Sequence, residues 1–388
     1  MFFGTPEFAV PALNLLINSS DIEVLAVITQ PDKSVGRKQI LTAPPVKDIA
    51  LKHGIPVFQP EKLNLDELLF KTLNDLKPDA LVTVAYGQIL KENYLKMSSL
   101  GVVNLHASLL PKYRGPAPIN WMLINGEKEI GVSTMLSDAG IDTGPVLLSS
   151  EMLYVENETA QELSLRMSHF GADLLLSTLL KFDKLQNIEA SKQLNDNSEN
   201  GLERQPFNET QEFSKGQLQQ GFEALSISQQ LAPFMTKDLG LIDFSSPELH
   251  FSSPNSKQAF FKFSKPNSAE NIHNLVRGTY PWPGAYFILR GEKVAILETL
   301  VADEELKEVM KNEIFHHGLS GEEVKDQRIL KSPDPGTIMK INHKEGFIWV
   351  QTFDGILQID KLKPSGKAEM KASDCLNGFR LKEGDLLI

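Results

Sequence analysis

The stretch Gly101-Val102-Val103-Asn104-Leu105-His106-Ala107-Ser108-Leu109-Leu110-Pro111 reads as a buried strand that runs out into a proline-stopped loop. The apolar run Leu100 to Val103 lacks the polar alternation of a half-exposed strand, which points to a strand covered on both faces. In an open α/β sheet, ligands bind in the crevice beyond the carboxyl ends of such strands. Asn104 and His106 stand there, and Gly140-Ile141-Asp142-Thr143-Gly144 follows about thirty-five residues later with a carboxylate on a glycine-flanked loop. Singly, each has an ordinary explanation: a capping Asn, a hydrogen-bonded structural His, a turn-forming Asp. Together they can polarise a carbonyl, move a proton and hold the proton carrier in one tautomer. No obvious nucleophile accompanies them, which favours direct transfer over a covalent intermediate.

Outward from this strand, the first 185 residues alternate between two kinds of segment. Short apolar runs at Glu23–Ile28, Ala80–Ala85 and Gly101–Leu105 read as buried strands. A later strand pair lies near Gly131–Leu136 and Pro145–Met152. Amphipathic stretches at Phe8–Ile17, Val46–Lys52, Leu65–Leu76 and Thr159–Phe182 read as helices. Such alternation predicts an α/β domain, a Rossmann-like open sheet that is mostly parallel. Gly4-Thr5-Pro6 supplies one glycine where a dinucleotide fingerprint needs three, so Thr5 reads as an N-cap and Pro6 as the first helical residue.

At 388 residues the chain calls for two domains. The amphipathic balance, 41% hydrophobic and 23% charged, excludes a disordered chain, and no apolar stretch is long enough to span a bilayer. No signal or transit pattern is recognisable and Cys375 is the single cysteine, so a cytoplasmic protein without disulfides is expected. A net charge of −11 argues against indiscriminate nucleic-acid binding, and neither a DNA nor a membrane partner is expected. His316-His317 has no third ligand at usable spacing, so no metal is expected.

From Asp183 to about Gln230 the composition turns to Asn, Gln, Ser and Glu. The expected division is therefore a catalytic domain at 1–185, a polar linker at 186–235 and a C-terminal domain at 236–388. Polar insertions are expected within the last, near 246–266 and 303–330. Its short runs at Ala285–Leu289, Val294–Leu297, Gly336–Ile341, Phe347–Thr352 and Gly355–Leu362 suggest a small β-barrel of the oligonucleotide-binding (OB) type. Residues 336–388 hold eight Lys and Arg against seven Asp and Glu, far less acidic than the rest of the chain.

Beyond these readings the chain resembles the methionyl-tRNA formyltransferases. The likeness runs through Phe3-Gly-Thr-Pro-Glu-Phe-Ala9, Thr29-Gln-Pro-Asp32, Val84-Ala-Tyr-Gly87, Val103 to Pro111, Tyr113-Arg-Gly-Pro-Ala-Pro118 and Gly140 to Gly144. It continues in Asn274-Leu-Val-Arg-Gly278, Pro281-Trp-Pro-Gly-Ala285, Pro335-Gly-Thr-Ile338 and Leu376-Asn-Gly-Phe-Arg-Leu381. The Asn-x-His…Asp core is shared by the wider group of transferases that use 10-formyltetrahydrofolate. Members of the family usually carry several residues before the Phe-x-Gly-Thr-Pro motif, so a start upstream of Met1 is expected.

The resemblance implies formyl transfer from 10-formyltetrahydrofolate to the α-amino group of methionine on initiator tRNA, by a monomer. It implies Asn104, His106 and Asp142 as the catalytic trio and Ser108, Leu109, Leu110 and Pro111 as the folate-binding signature. The family uses a mobile loop, here Gln30–Lys47, to embrace the acceptor stem, with an Arg at Arg37 and Lys38 beside it. Lys361, Lys363 and Lys367 would track tRNA phosphates from the barrel. A ring N–H of His106 is expected to join the Asn104 amide as an oxyanion donor. Arg114 could meet tRNA, folate or a structural partner, and Trp282 is expected to be a packing anchor. The rival reading within the same group is a formyltransferase acting on an amino-sugar nucleotide.

Overall fold

The computed structural model describes residues 1–36, 38–195, 231–253, 261–301 and 333–387. The chain divides into two compact units. The first comprises residues 1–119, 128–154 and 162–232, and the second comprises 120–127, 155–161 and 233–388.

The first unit is built on a seven-stranded sheet. In chain order its strands are β1 (Phe2–Gly4), β2 (Val27–Ile28), β5 (Val57–Phe58), β6 (Leu81–Val84), β7 (Val102–His106), β8 (Ile130–Leu136) and β9 (Val146–Met152). Between β2 and β5 lie β3 (Lys33–Val35) and β4 (Ile40–Thr42), a separate antiparallel pair. The sheet order is β5-β2-β1-β6-β7-β8-β9, parallel as far as β7 and antiparallel for the last two strands. Connections from β1 run toward β2 and later return to β6 on its other side, so the order reverses beside β1. Ligand crevices of open sheets form at such points.

The helices of this unit are α1 (Val10–Asn18), α2 (Pro45–Lys52), α3 (Glu67–Asp75), α4 (Glu92–Leu95), α5 (Pro118–Ile124) and α6 (Ala160–Asn195), the last two shared with the second unit. In α1, Ala12, Leu13 and Leu16 are buried at helical spacing. Asp66 caps α3 by accepting from Leu69 N–H at 2.9 Å. Thr5 caps nothing. Its hydroxyl donates instead to the Tyr86 carbonyl at 2.9 Å, a short 3₁₀ turn follows at Glu7–Ala9, and α1 begins only at Val10. Gly171 brings α6 against β7, since a Cβ there would lie 2.9 Å from Leu105 Cδ2. The reverse face of β7 is thus filled, and Asn104 and His106, alternating with Leu105, occupy the other face.

The segment Gln30–Lys47, expected to be a mobile loop, contains the β3–β4 hairpin in the register Lys33↔Thr42, Ser34↔Leu41 and Val35↔Ile40. Every residue of both strands is exposed, including Val35, Ile40 and Leu41. With no buried face, the pair leaves no alternation in the sequence to betray it.

The second unit carries an antiparallel sheet. Its strands are β12 (Ala285–Leu289), β13 (Glu292–Val301), β14 (Ile338–Ile341), β15 (Ile348–Gln351), β16 (Ile356–Pro364) and β17 (Met370–Lys371). The order is β12-β13-β16-β15-β14, with β17 beside β16. The polar stretch near 246–266 is a hairpin of β10 (Glu248–Ser253) and β11 (Phe261–Pro266), with Leu249 and Phe251 buried. Its alternation is obscured in the sequence because Lys265 stands opposite Leu249 on the buried face, donating to the Ile124 carbonyl at 3.0 Å. The expected insertion at 303–330 lies outside the described residues; β13 ends before it and β14 begins after it. Helices α7 (Ala269–Thr279) and α8 (Ala372–Phe379) pack on this sheet. Phe244 meets Phe287 edge to face, as Trp121 meets Phe251. No helix among the described residues is long and apolar enough to cross a membrane.

Candidate active site

Strand β7 delivers the site. Asn104 pairs in register with Thr83 of β6, and His106 with Ser133 of β8. The Thr83 hydroxyl donates to Asn104 Oδ1 at 2.8 Å. Among the described residues the NH2 end of the Asn104 amide makes no hydrogen bond, so it remains available as a donor.

His106 is almost fully buried, with Nε2 3.0 Å from the carbonyl oxygen of Tyr113. A carbonyl can only accept, so Nε2 carries a proton and donates it. Nδ1 then faces Asp142, 3.6 Å from Oδ2, beyond direct hydrogen-bond range. The same Oδ2 accepts from the backbone N–H of Gly115 at 2.9 Å. The Nε2–H is thus spent on the Tyr113 carbonyl, and Nδ1 is the ring nitrogen left without a hydrogen bond to the protein among the described residues. Tyr113 and Gly115 were not foreseen in these roles because they act through the backbone.

The turn Tyr113-Arg114-Gly115 joins the histidine to the aspartate. Tyr113 (φ 57°) and Gly115 (φ 118°) both lie in the left-handed region, which aims the 113 carbonyl and the 115 amide inward. Gly115 also has no room for a side chain: a Cβ would sit 2.9 Å from the Ala232 carbonyl oxygen. Ala232 straps the turn from outside, donating to the Arg114 carbonyl at 2.8 Å and accepting from Ala117 N–H at 3.1 Å. Arg114 is buried in this turn. Burial pushes its guanidinium pKa down, opposed by the charges of Asp142 and Asp138.

Asp142 sits at φ 50° on a loop stapled by Asp138, whose Oδ1 accepts from Gly140 N–H at 2.9 Å and from the Thr143 hydroxyl at 2.6 Å. The loop after β7 is held likewise. Ser133 Oγ donates to Ser108 O at 2.8 Å, accepts from Leu110 N–H at 3.1 Å and lies 2.9 Å from Ser149 Oγ. Ser108 Oγ itself donates to Lys112 O at 2.6 Å. Leu110 is buried in a cluster with Met135 and Val146, whereas Leu109 and Pro111 are half-buried. Of the four signature residues, Ser108 and Leu110 thus have their side chains committed to the loop's own structure.

The expected tRNA contacts fare unevenly. Arg37 lies outside the described residues, and Lys38 is exposed in the hairpin turn. Lys361 forms an ion pair with Glu298, so part of its charge is neutralised. Lys367 stands over the Phe379 ring, while Lys363 is exposed on β16 and makes no ion pair among the described residues. Trp282 is 53% exposed, so the packing-anchor expectation fails. Among the described residues no group of His, Cys, Asp and Glu could hold a metal ion; His316 and His317 lie outside them. Cys375 is buried, and burial pushes its thiol up to about 11, where it is unreactive at neutral pH.

The formyl transferase family matches residues 1–179, and the formyl transferase C-terminal domain matches residues 255–380. The methionyl-tRNA formyltransferase of Alkaliphilus oremlandii is 37% identical over 387 residues, which cover 100% of this chain and 98% of that protein. That of Clostridioides difficile is 36% identical over 387 residues, covering 100% and 99%. Among solved structures, HypX from Aquifex aeolicus in complex with tetrahydrofolic acid gives a TM-score of 0.49 at 13% identity, over 100% of this chain and 50% of that one. The N-formyltransferase from Helicobacter canadensis, with folinic acid and dTDP-3-aminofucose, gives 0.47 at 18% identity, over 92% and 97%.

Proposed function

The chain belongs to the methionyl-tRNA formyltransferase family, and from that premise we propose that Asn104, His106 and Asp142 carry out its formyl transfer. The enzyme moves the formyl group of 10-formyltetrahydrofolate to the α-amino group of methionine on initiator tRNA. The amine attacks the formyl carbon, a C–N bond forms, and the carbonyl oxygen becomes an oxyanion. Collapse breaks the bond to the folate nitrogen. One proton leaves the amine and one reaches the departing nitrogen.

Asn104 supplies the oxyanion donor. Its Oδ1 is engaged by Thr83, so its NH2 is the end left for the substrate. A donor prearranged at that oxygen strengthens as charge develops there. His106 carries the proton. With Nε2–H held by the Tyr113 carbonyl, Nδ1 is the nitrogen that can gain and lose it. Asp142, 3.6 Å from Nδ1, offers an opposite charge to the ring that has taken it. The observation that carries this reading is the shared turn, whose carbonyl holds His106 while its amide holds Asp142.

The loop Ser108 to Pro111 binds the folate. Leu109 and Pro111 offer apolar surface to the pterin, and Ser108 and Leu110 hold the loop's shape. Arg37 and Lys38 meet the acceptor stem, and the C-terminal domain, residues 236–388, follows tRNA phosphates with Lys361, Lys363 and Lys367. We infer a monomer working in the cytoplasm, where charged initiator tRNA is used.

The test is to incubate the purified protein with 10-formyltetrahydrofolate and either charged initiator tRNA or an amino-sugar nucleotide. Formylation of the tRNA alone is expected, and His106→Ala should abolish most of it without unfolding the protein. Transfer to the sugar but not to the tRNA would overturn the assignment.

A further inference from the structure

Thr83 is the one polar residue in the buried strand Leu81-Val82-Thr83-Val84. It is 7% exposed and lies between Phe3 of β1 and Asn104 of β7 in the sheet register. Parallel pairing puts the Thr83 and Asn104 side chains on the same face, side by side.

An asparagine amide has two ends of nearly equal size, one a donor and one an acceptor, and half a turn about its last torsion exchanges them. At the reacting oxygen the exchange would be disabling, because a carbonyl presented there repels the developing charge. A neighbouring group must therefore choose the end. The Thr83 hydroxyl is 2.8 Å from Asn104 Oδ1, and among the described residues this is its one hydrogen bond. If the amide turned over, the hydroxyl oxygen could accept from Nδ2, but its own proton would be left without an acceptor in a buried position. Leaving a buried donor unmet is costly. The arrangement therefore prefers one orientation: Thr83 donates to Oδ1, and Nδ2 points away from it.

We propose that Thr83 is a positioning residue of the transfer, which fixes the donor end of Asn104 toward the reacting oxygen. The inference rests on Asn104 acting as the oxyanion donor. It concerns turnover rather than binding, because the oxyanion exists only after attack.

The test uses the full-length enzyme with 10-formyltetrahydrofolate and charged initiator tRNA. Thr83→Val removes the hydroxyl while keeping shape, and should lower kcat about tenfold, with KM for both substrates within about twofold of the parent. Thr83→Ser, which keeps the donor, should retain most of kcat. In an Asn104→Ala background, Thr83→Val should cost little more, because the group it positions is gone. A merely structural threonine would not give this split, rescue and loss of additivity. Should the valine variant misfold, Thr83→Ala reads the same loss. A Thr83→Val enzyme with kcat within twofold of the parent, beside an inactive Asn104→Ala enzyme, would overturn this inference alone. A fully active Asn104→Ala enzyme would bring down the site reading and this inference with it.

Discussion

Lys47 and Asp32 close the base of the β3–β4 hairpin: Lys47 Nζ lies 2.8 Å from Oδ1 and 2.9 Å from Oδ2 of Asp32. Gln59 adds a third tie, donating to Asp32 Oδ1 at 2.7 Å and to the Gln30 carbonyl at 2.9 Å. The Gln59 amide, and then Lys47, hold the Asp32 carboxyl below the usual carboxylate range. Lys47, a basic residue at the end of the segment Gln30–Lys47, is thus spent on an internal partner. Asp32→Asn should raise KM for charged tRNA about threefold to fivefold with little change in kcat, the modest worth of a part-exposed pair. Direct field effects predict the opposite sign, since removing an acid favours a polyanion. Steady-state kinetics against tRNA concentration therefore separates anchoring from electrostatics.

Gly115 is the residue of the His106–Asp142 turn least able to change. An alanine there would adopt φ 118° with its Cβ 2.9 Å from a backbone oxygen. Gly115→Ala should lower stability by about 1–3 kcal/mol, the usual cost of such strain. It should also lower kcat more than tenfold, roughly what a misplaced catalytic pair costs. Denaturant unfolding and single-turnover transfer measure the two losses separately.

Lys363 and Lys361 differ in what they have to offer a phosphate. Lys361 is paired with Glu298, whereas Lys363 makes no ion pair among the described residues. If each meets one phosphate, Lys363→Ala should reduce the salt slope of tRNA binding by roughly 0.7–0.9, and Lys361→Ala by less. Titration of binding at several salt concentrations checks the ranking, and equal slopes for parent and Lys363→Ala would remove Lys363 from the interface.

His273 gives the second unit a pH dependence of its own. Burial, and then the charge of Arg277, lower its pKa from 6.5 to about 4, while Thr299 Oγ1 lies 2.9 Å from Nδ1. The folded form thus binds its proton less readily than the unfolded form. The contribution is fully present above about pH 6.5 and is lost as the pH falls toward 4, by at most about 3 kcal/mol. Urea midpoints measured across that window should fall with pH, and His273→Asn should flatten this part of the curve.

The sequence exposed β7 and its two polar residues because a strand covered on both faces is an apolar run, against which Asn104 and His106 stand out. It did not expose Thr83, Tyr113 or Gly115. Thr83 matters through the register of β6 on β7, and the other two act through left-handed backbone that aims a carbonyl and an amide. Ser108 and Leu110 were legible as a motif, but their side chains turn inward to the loop and core. The hairpins at 33–42 and 248–266 escaped for related reasons. One has no buried face, and the other hides two buried residues among polar ones. A tryptophan between prolines suggested packing, yet Trp282 is more than half exposed.

The strap of Ala232 over residues 114–117 bears on how this enzyme could be cut into parts. A fragment ending in the polar stretch after residue 185 would keep Asn104, His106 and Asp142 and still lose both backbone bonds that brace their turn. Shortened there, it should bind folate poorly and turn over slowly, although every proposed catalytic side chain is present. A portable catalytic module has to run through Ala232, which makes the end of the long polar stretch, by sequence the most dispensable region, part of the machinery it follows.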